Sequence, residues 1–173
     1  MRNTERGRVA WRVGTGEETG LATALYDLVT FGSSFNVTDR GRALAEAARI
    51  LRPRGWFACM WNHRDLDDEV QQICEQIIRD RIPGYDYGTR REDQTAVIRE
   101  SGLFQEPEVI EEKTVHVLSL DDFVEAWRSH ATLARQAADR FPAIIEAIAG
   151  ALAGRSEISV PYTTRLWAAR RSS

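Results

Sequence analysis

Two uninterrupted apolar runs of strand length, in YDLVTFG and GWFACMW, bracket a segment where Ala43, Leu44, Ala47, Ala48 and Leu51 recur at helical spacing. Strands that are apolar on both faces belong to parallel sheets covered by helices, and parallel neighbours need a long crossover between them. The block therefore predicts a strand carrying Leu28, Val29 and Phe31, then a helix over residues 39–51, then a second strand. Asp39 is placed to cap the helix, and Pro53 and Gly55 to end it. The first strand is expected to be buried and to stop at Gly32. A βαβ unit of this kind commits the chain to an α/β fold.

Beyond Trp61 the periodicity changes. Val70, Ile73, Ile77 and Ile78 predict an amphipathic helix over residues 66–81, and GYDYGTRRED, residues 84–93, reads as a polar, glycine-containing loop. A short helix over 94–101 closes at Gly102. Residues 108–118 alternate and predict an antiparallel strand; helices are expected over 120–130 and 133–152. The final strand lies in ISVPYTTRLWAARR, with Pro161 near its start. Two late antiparallel strands after a βαβ unit imply a mixed sheet. A short strand over residues 9–13 is expected from its apolar character.

The 173 residues suit one globular domain able to bury a core without staples. A net charge of −3, with both signs mixed along the chain, points away from nucleic acid and from an anionic membrane. Cys59 and Cys74 fit no metal spacing and read as buried thiols in a reducing compartment. No apolar run approaches membrane-spanning length, and no secretory h-region follows the charged start, so the cytoplasm is the expected location. His63, His116 and His130 lie too far apart in sequence to suggest a metal site.

YDLVTFGSSFNVTD followed by ALAEAARILRPRGWFACMWNHRD resembles the class I S-adenosylmethionine-dependent methyltransferases, of the small-molecule, type 11 kind. In that family an acid opens strand four, here Asp27, and an active-site loop follows, here GSSFNVTD. A helix then leads through an RxLxPGG turn into strand five, here RILRPRG, and WNHRD resembles the segment after it. Arg54 stands where the family usually has the first glycine of the turn. The resemblance covers roughly residues 9–170 and implies a Rossmann-like sheet of order 3-2-1-4-5-7-6 with a helical lid insertion.

WRVGTGEETG looks like a glycine-rich cofactor loop, but spacing argues against it. In the family, the stretch from the first-strand loop to strand four should hold about 50–60 residues, since each βα unit takes about 25–30. Ten residues separate Gly16 from Asp27. The stretch instead resembles the loop after strand three, which places Thr15 and Gly16 near the adenine and Glu17 at the family's glutamate position. The fold expected is thus a partial class I sheet (strand three, if formed, then 4, 5, 7 and 6) as one domain over residues 1–173. Its lid and substrate region covers about 64–104. Strand four would then lack a neighbour. A partner chain, self-association or a truncated product could each account for this, and a homo-oligomer or complementing chain is expected.

The resemblance implies S-adenosylmethionine as cofactor, not necessarily bound by this chain alone, and a small-molecule acceptor. The alternatives are an inactive binding or assembly subunit built on the same remains and an unrelated α/β domain. Gly32, Ser33 and Ser34 end strand four where the cofactor's methionine part would lie, with Thr15 and Gly16 on its other side. Phe35 and Asn36 follow; Asn36 replaces a histidine common in the related branch and can orient a substrate without taking its proton. His63 is the candidate general base. Trp61, Asn62 and Arg64 would line the acceptor pocket. Tyr85, Tyr87, Arg90 and Arg91 form a candidate lid whose arginines could meet a carboxylate. Arg128 and His130 read as a polar helix face.

Overall fold

The computed structural model describes residues 9–172. The chain runs β1 (Tyr26–Gly32), α1 (Arg40–Ile50), β2 (Leu51–Arg64), α2 (Glu69–Arg81), α3 (Thr95–Glu100) and β3 (Glu108–Ser119). It continues with α4 (Leu120–Arg128), α5 (Ala131–Ala137), α6 (Phe141–Ala151) and β4 (Glu157–Arg170). The strands form one sheet in the order β1-β2-β4-β3. Ala24 and Leu25, leading into β1, donate to the carbonyls of Arg49 and Ile50, so numbering climbs together and β1 runs parallel to β2. Along β2 and β4 numbering runs oppositely, Gly55 accepting from Arg171 and Asp65 donating to Pro161. Phe104 and Arg171 form an antiparallel bridge, and the Arg165–Glu111 pair continues that sense along β4 and β3. The mixed sheet is the 4-5-7-6 part of the order the resemblance implied.

Residues 9–13, expected as a strand, carry no ladder among the described residues, and their side chains are exposed. β1 was expected to be buried, yet Leu28 is 55% exposed, because β1 lies at the sheet edge. The helix expected over 133–152 is two helices. Ala138 takes a left-handed φ of 48° between them, and Pro142 sits in the first turn of α6, where its missing N–H costs nothing. The helix expected from residue 66 starts three residues later, because Asp68 caps it by accepting from Val70 and Gln71 N–H.

Contacts divide the chain into two compact units. The first comprises the chain to Ala58, Gln94–Glu108 and the end from Ala168; the second comprises Cys59–Asp93 and Val109–Trp167. In the first, Asp39 caps α1 by accepting from Arg42 N–H at 3.0 Å, as its sequence position predicts. Ala43, Leu44, Ala47 and Ile50 form the buried stripe of α1. Phe31, Phe35, Phe57 and Phe104 form an aromatic cluster, with ring centroids 5.3–5.9 Å apart in tilted or edge-on pairs. The LRPRG turn separates two demands that the family's glycine pair meets together. Arg54 takes a left-handed φ of 63°. Gly55 lies so close to its neighbours that a Cβ there would come within 3.2 Å of the Asp27 carbonyl oxygen.

A charged clamp fixes the segment before β1. Glu46, buried on α1, accepts from the N–H and hydroxyl of Thr19 at 2.9 and 2.5 Å, and from Arg49. Arg49 in turn donates to Thr23 and to the Leu21 carbonyl. The Arg49 guanidinium pulls the Glu46 carboxyl down to about 2, against the opposing effect of burial.

In the second unit α6 packs against α2 and α4. Val70, Cys74, Ile78, Phe123, Trp127, Leu133, Ile144, Ile148, Leu152, Ile158 and Val160 make its core. Trp61 and Trp167 are buried edge to face at 5.8 Å. Both cysteines are buried and free, and burial pushes each thiol up to about 12.

Replacing Arg54 with glycine removes a left-handed backbone cost of about 1–2 kcal/mol and returns somewhat less as glycine's unfolded-state entropy. A net gain of about 0.5–1 kcal/mol is expected in urea unfolding, whereas Arg54→Ala should give none. A second expectation concerns acid. Because the Glu46 carboxyl lies below its unfolded value of 4.5, its contribution is complete above about that pH and disappears as pH falls through about 2. Glu46→Gln should therefore be less stable than the parent at pH 7 by about 1–3 kcal/mol. The gap should close when both are melted near pH 2; equal stability at pH 7 would rule the clamp out.

Candidate functional site

In the first unit, the glycine stretch forms a tight turn rather than a phosphate-type cradle. Thr15 and Glu18 exchange backbone hydrogen bonds, and the Thr15 hydroxyl accepts from Glu18 N–H at 3.1 Å. Gly16 is needed for packing: a Cβ there would sit 3.0 Å from both the Phe31 ring and the Thr38 methyl. Glu17 Oε1 accepts from Asp39 N–H at 2.7 Å, a bond that holds its carboxyl below the usual range. The turn is thus tied both to the end of β1 and to the start of α1. A cleft of about 450 Å³ opens beside it, lined by Arg12, Gly14, Thr15, Thr19, Leu21 and Tyr26.

At the C-terminal end of β1, Gly32 faces open space, with no heavy atom within 4 Å of where its Cβ would be. Ser33 takes a left-handed φ of 52°, a strained position for a non-glycine residue. Ser34 leads into the short turn Phe35–Val37. Phe35 is fully buried in the aromatic cluster, and Asn36 is half-buried. Asp27 pairs with Arg52 at 2.8 Å on the exposed face. An open strand end with a strained serine, beside a glycine–threonine turn, suits the close approach of a ligand backbone. Glu17 and Glu46, on this side, are already engaged by backbone and side-chain donors.

In the second unit, β2 ends in Trp61, Asn62, His63 and Arg64. A polar cleft of about 360 Å³ is lined by His63, Arg64, Asp65, Asp67, Arg91, Glu111, Lys113, Thr163 and Arg165. His63 is more than nine-tenths buried, and neither ring nitrogen has a hydrogen-bond partner among the described residues. Burial pushes it down to about 4, helped by the charges of Arg91, Arg90 and Arg165 and opposed only by Glu111. At neutral pH the ring is therefore uncharged.

The structure brings Arg64, Tyr87, Arg90 and Arg91 together. Arg91 donates to the Arg64 carbonyl at 3.1 Å and lies over the Tyr87 ring. Tyr85 belongs to the helical core, and Tyr87 packs against that core while its hydroxyl donates to Glu75. The cleft residues on β3 and β4 were missed by sequence reasoning. Glu111 and Lys113 sit two apart on an alternating strand, as do Thr163 and Arg165, so the period-two pattern was the available signal. His130, read as a polar helix face, is instead a helix cap: its Nδ1 accepts from Leu133 N–H. Among the described residues no group of three or more His, Cys, Asp or Glu is placed to hold a metal ion, and no helix is long and apolar enough to cross a membrane.

Comparison with known proteins bears on this arrangement. The family model for a methyltransferase domain matches residues 1–59. An uncharacterized methyltransferase of Mycobacterium tuberculosis is 38% identical over 88 residues, half of this chain but 36% of the relative. The match thus spans little more than a third of that protein's length. Among solved structures, a candidate type II methyltransferase from Anaeromyxobacter dehalogenans superposes over 98% of this chain and 74% of its own, with a TM-score of 0.61 at 22% identity. The [4+2]-cyclase SpnF aligns over 95% of this chain and 57% of its own, at a TM-score of 0.51 and 16% identity. Residues 1–59 are thus similar in sequence to a methyltransferase domain, and nearly the whole length has the fold of solved class I methyltransferases.

Proposed function

We propose that the chain contributes to methyl transfer from S-adenosylmethionine to a small molecule. The donor would rest against Thr15, Gly16, Gly32, Ser33 and Ser34, and the acceptor would bind in the His63 cleft. The observation that carries this reading is His63: a buried, uncharged imidazole with both nitrogens unpartnered, in a polar cleft at a strand terminus. Since the fold also serves a cyclase, the argument rests on these residues and not on the fold.

The donor supplies a methyl group on a sulfonium, which leaves as a neutral thioether; the protein's work is alignment and exclusion of water. His63 accepts a hydrogen bond from the nucleophile's O–H or N–H and orients its lone pair. Burial, with the charges of Arg91, Arg90 and Arg165, disfavours an imidazolium there, so His63 orients the nucleophile and the proton displaced by methylation leaves to solvent water. Asn36 is a second orienting group on the donor side.

We also propose that β1 is completed by strands from beyond the described residues, either a second copy or a complementing chain. Leu28 and Leu25 are exposed there, and the edge N–H and C=O groups have no ladder partner among the described residues.

Calorimetry with S-adenosylhomocysteine tests the donor reading. Saturable binding is expected, weakened at least tenfold by Gly32→Val, which fills the open space at the strand end while leaving the melting temperature unchanged. No heat at millimolar ligand with a folded sample in its assembled form would overturn it. Light scattering is expected to give a multiple of the monomer mass, or the monomer mass until a complementing chain is added. A monomer that binds the ligand by itself would overturn the completion of β1.

A further inference from the structure

A small pocket of about 120 Å³ in the second unit is lined by Asn62, Arg64, Tyr87, Arg90, His130 and Tyr162. It contains two guanidinium groups and no carboxylate. Arg64 lies 4.0 Å over the Trp127 ring, so a π face rather than an acid holds its charge, and its Nε is buried without a hydrogen-bond partner. Arg90 is half-buried and makes no ion pair among the described residues; burial lowers its pKa from the usual arginine value. The neutral groups also present donors. Asn62 Oδ1 already accepts from the Thr164 hydroxyl at 2.8 Å, which leaves its NH₂ available. His130 Nδ1 accepts from Leu133 N–H at 3.2 Å, so the neutral ring carries its proton on Nε2. Burial, with Arg64 and Arg90, pushes that imidazole down to about 4 and keeps it neutral.

Cations taken out of water without an acid are costly, and neither guanidinium group has an ion-pair partner among the described residues. We propose that this pocket binds the anionic end, carboxylate or phosphate, of the molecule that receives the methyl group. The volume holds about four waters by liquid measure, enough for one such group and too little for a nucleoside. The assignment rests on the acceptor reading above but narrows it to acidic acceptors. It selects Arg90, Arg64 and His130 and leaves Arg91 to the larger cleft.

The test is calorimetric titration of the full chain, without donor, with inorganic phosphate and separately with acetate. One-to-one saturable binding of at least one anion is expected, and their affinity ratio says whether the natural group is a phosphate or a carboxylate. Arg90→Gln should weaken binding at least tenfold, and Lys113→Gln, which lies outside this pocket, by less than twofold. Should Arg90→Gln fail to fold, Arg90→Lys keeps the charge but not the planar fork and should weaken binding about threefold. Absence of saturable binding by either anion, or an Arg90 variant that binds like the parent, would overturn the proposal. S-adenosylhomocysteine titrated into the same samples separates the two readings. Donor binding without anion binding sinks this pocket alone, and anion binding without donor binding leaves the pocket and sinks the transferase.

Discussion

Parallel pairing of β1 with β2 is the constraint from which the first unit follows. Two parallel strands cannot be joined by a hairpin, so the chain must leave the sheet, cross and return. α1 is that crossover, and its alanine-rich stripe at residues 43, 47 and 48 lets it lie close to the strands. The return is abrupt: α1 ends at Ile50 and β2 begins at Leu51. The reversal passes through an extended Leu51, and early in β2 Arg54 takes a left-handed φ and Gly55 provides a residue without a side chain where β2 meets β1. The same helix carries Glu46 and Arg49, which hold the segment before β1. One crossover thereby sets both the strand end and the turn proposed to flank the donor.

The second unit gathers positive charge. Arg64, Arg90, Arg91 and Arg165 lie near His63 or His130; Glu111 pairs with Arg165, Asp65 and Asp67 line the larger cleft, and Glu75 is taken up by Tyr87 and Arg79. Burial, helped by these charges, holds both imidazoles neutral, pushed down to about 4. A region with this character repels protons and cations and attracts anions. That is the opposite of what a proton-storing base needs, but it suits a group that orients a nucleophile next to a bound oxyanion.

Much of the first unit was legible because its signals are local. A continuous apolar run, a capping aspartate and a helical stripe each act within a few residues, and strand, helix and strand appeared where these predicted. The strand order was legible only through the resemblance, since pairing between β2 and β4 is set by residues a hundred positions apart. Local signals failed where tertiary context intervened. Residues 9–13 have the composition of a strand but no neighbour among the described residues with which to form one, and Ala138 carries no mark of the break that Pro142 makes possible. At the site, His63 and the arginines of residues 84–93 stood out as chemistry-bearing types. The small pocket did not, because nothing adjacent in sequence signals that Arg64 lies on Trp127 or that His130 caps α5.

The two edges of the sheet are built differently, and the contrast bears on what the first unit is for. β3 carries Glu108, Glu111, Glu112 and Lys113 among its apolar residues. Charges on an edge strand discourage a further strand from adding, so β3 has the make-up of a sheet's true end. β1 has only Asp27, followed by Leu28, Val29, Thr30 and Phe31, a run of high strand propensity with no lysine or proline. An edge of that composition is a template for pairing, and in water it favours association over isolation. The two margins of the sheet thus differ in their protection against a further strand, and the unprotected one carries Gly32 and Ser33 at its C-terminal end, where the donor is proposed to lie.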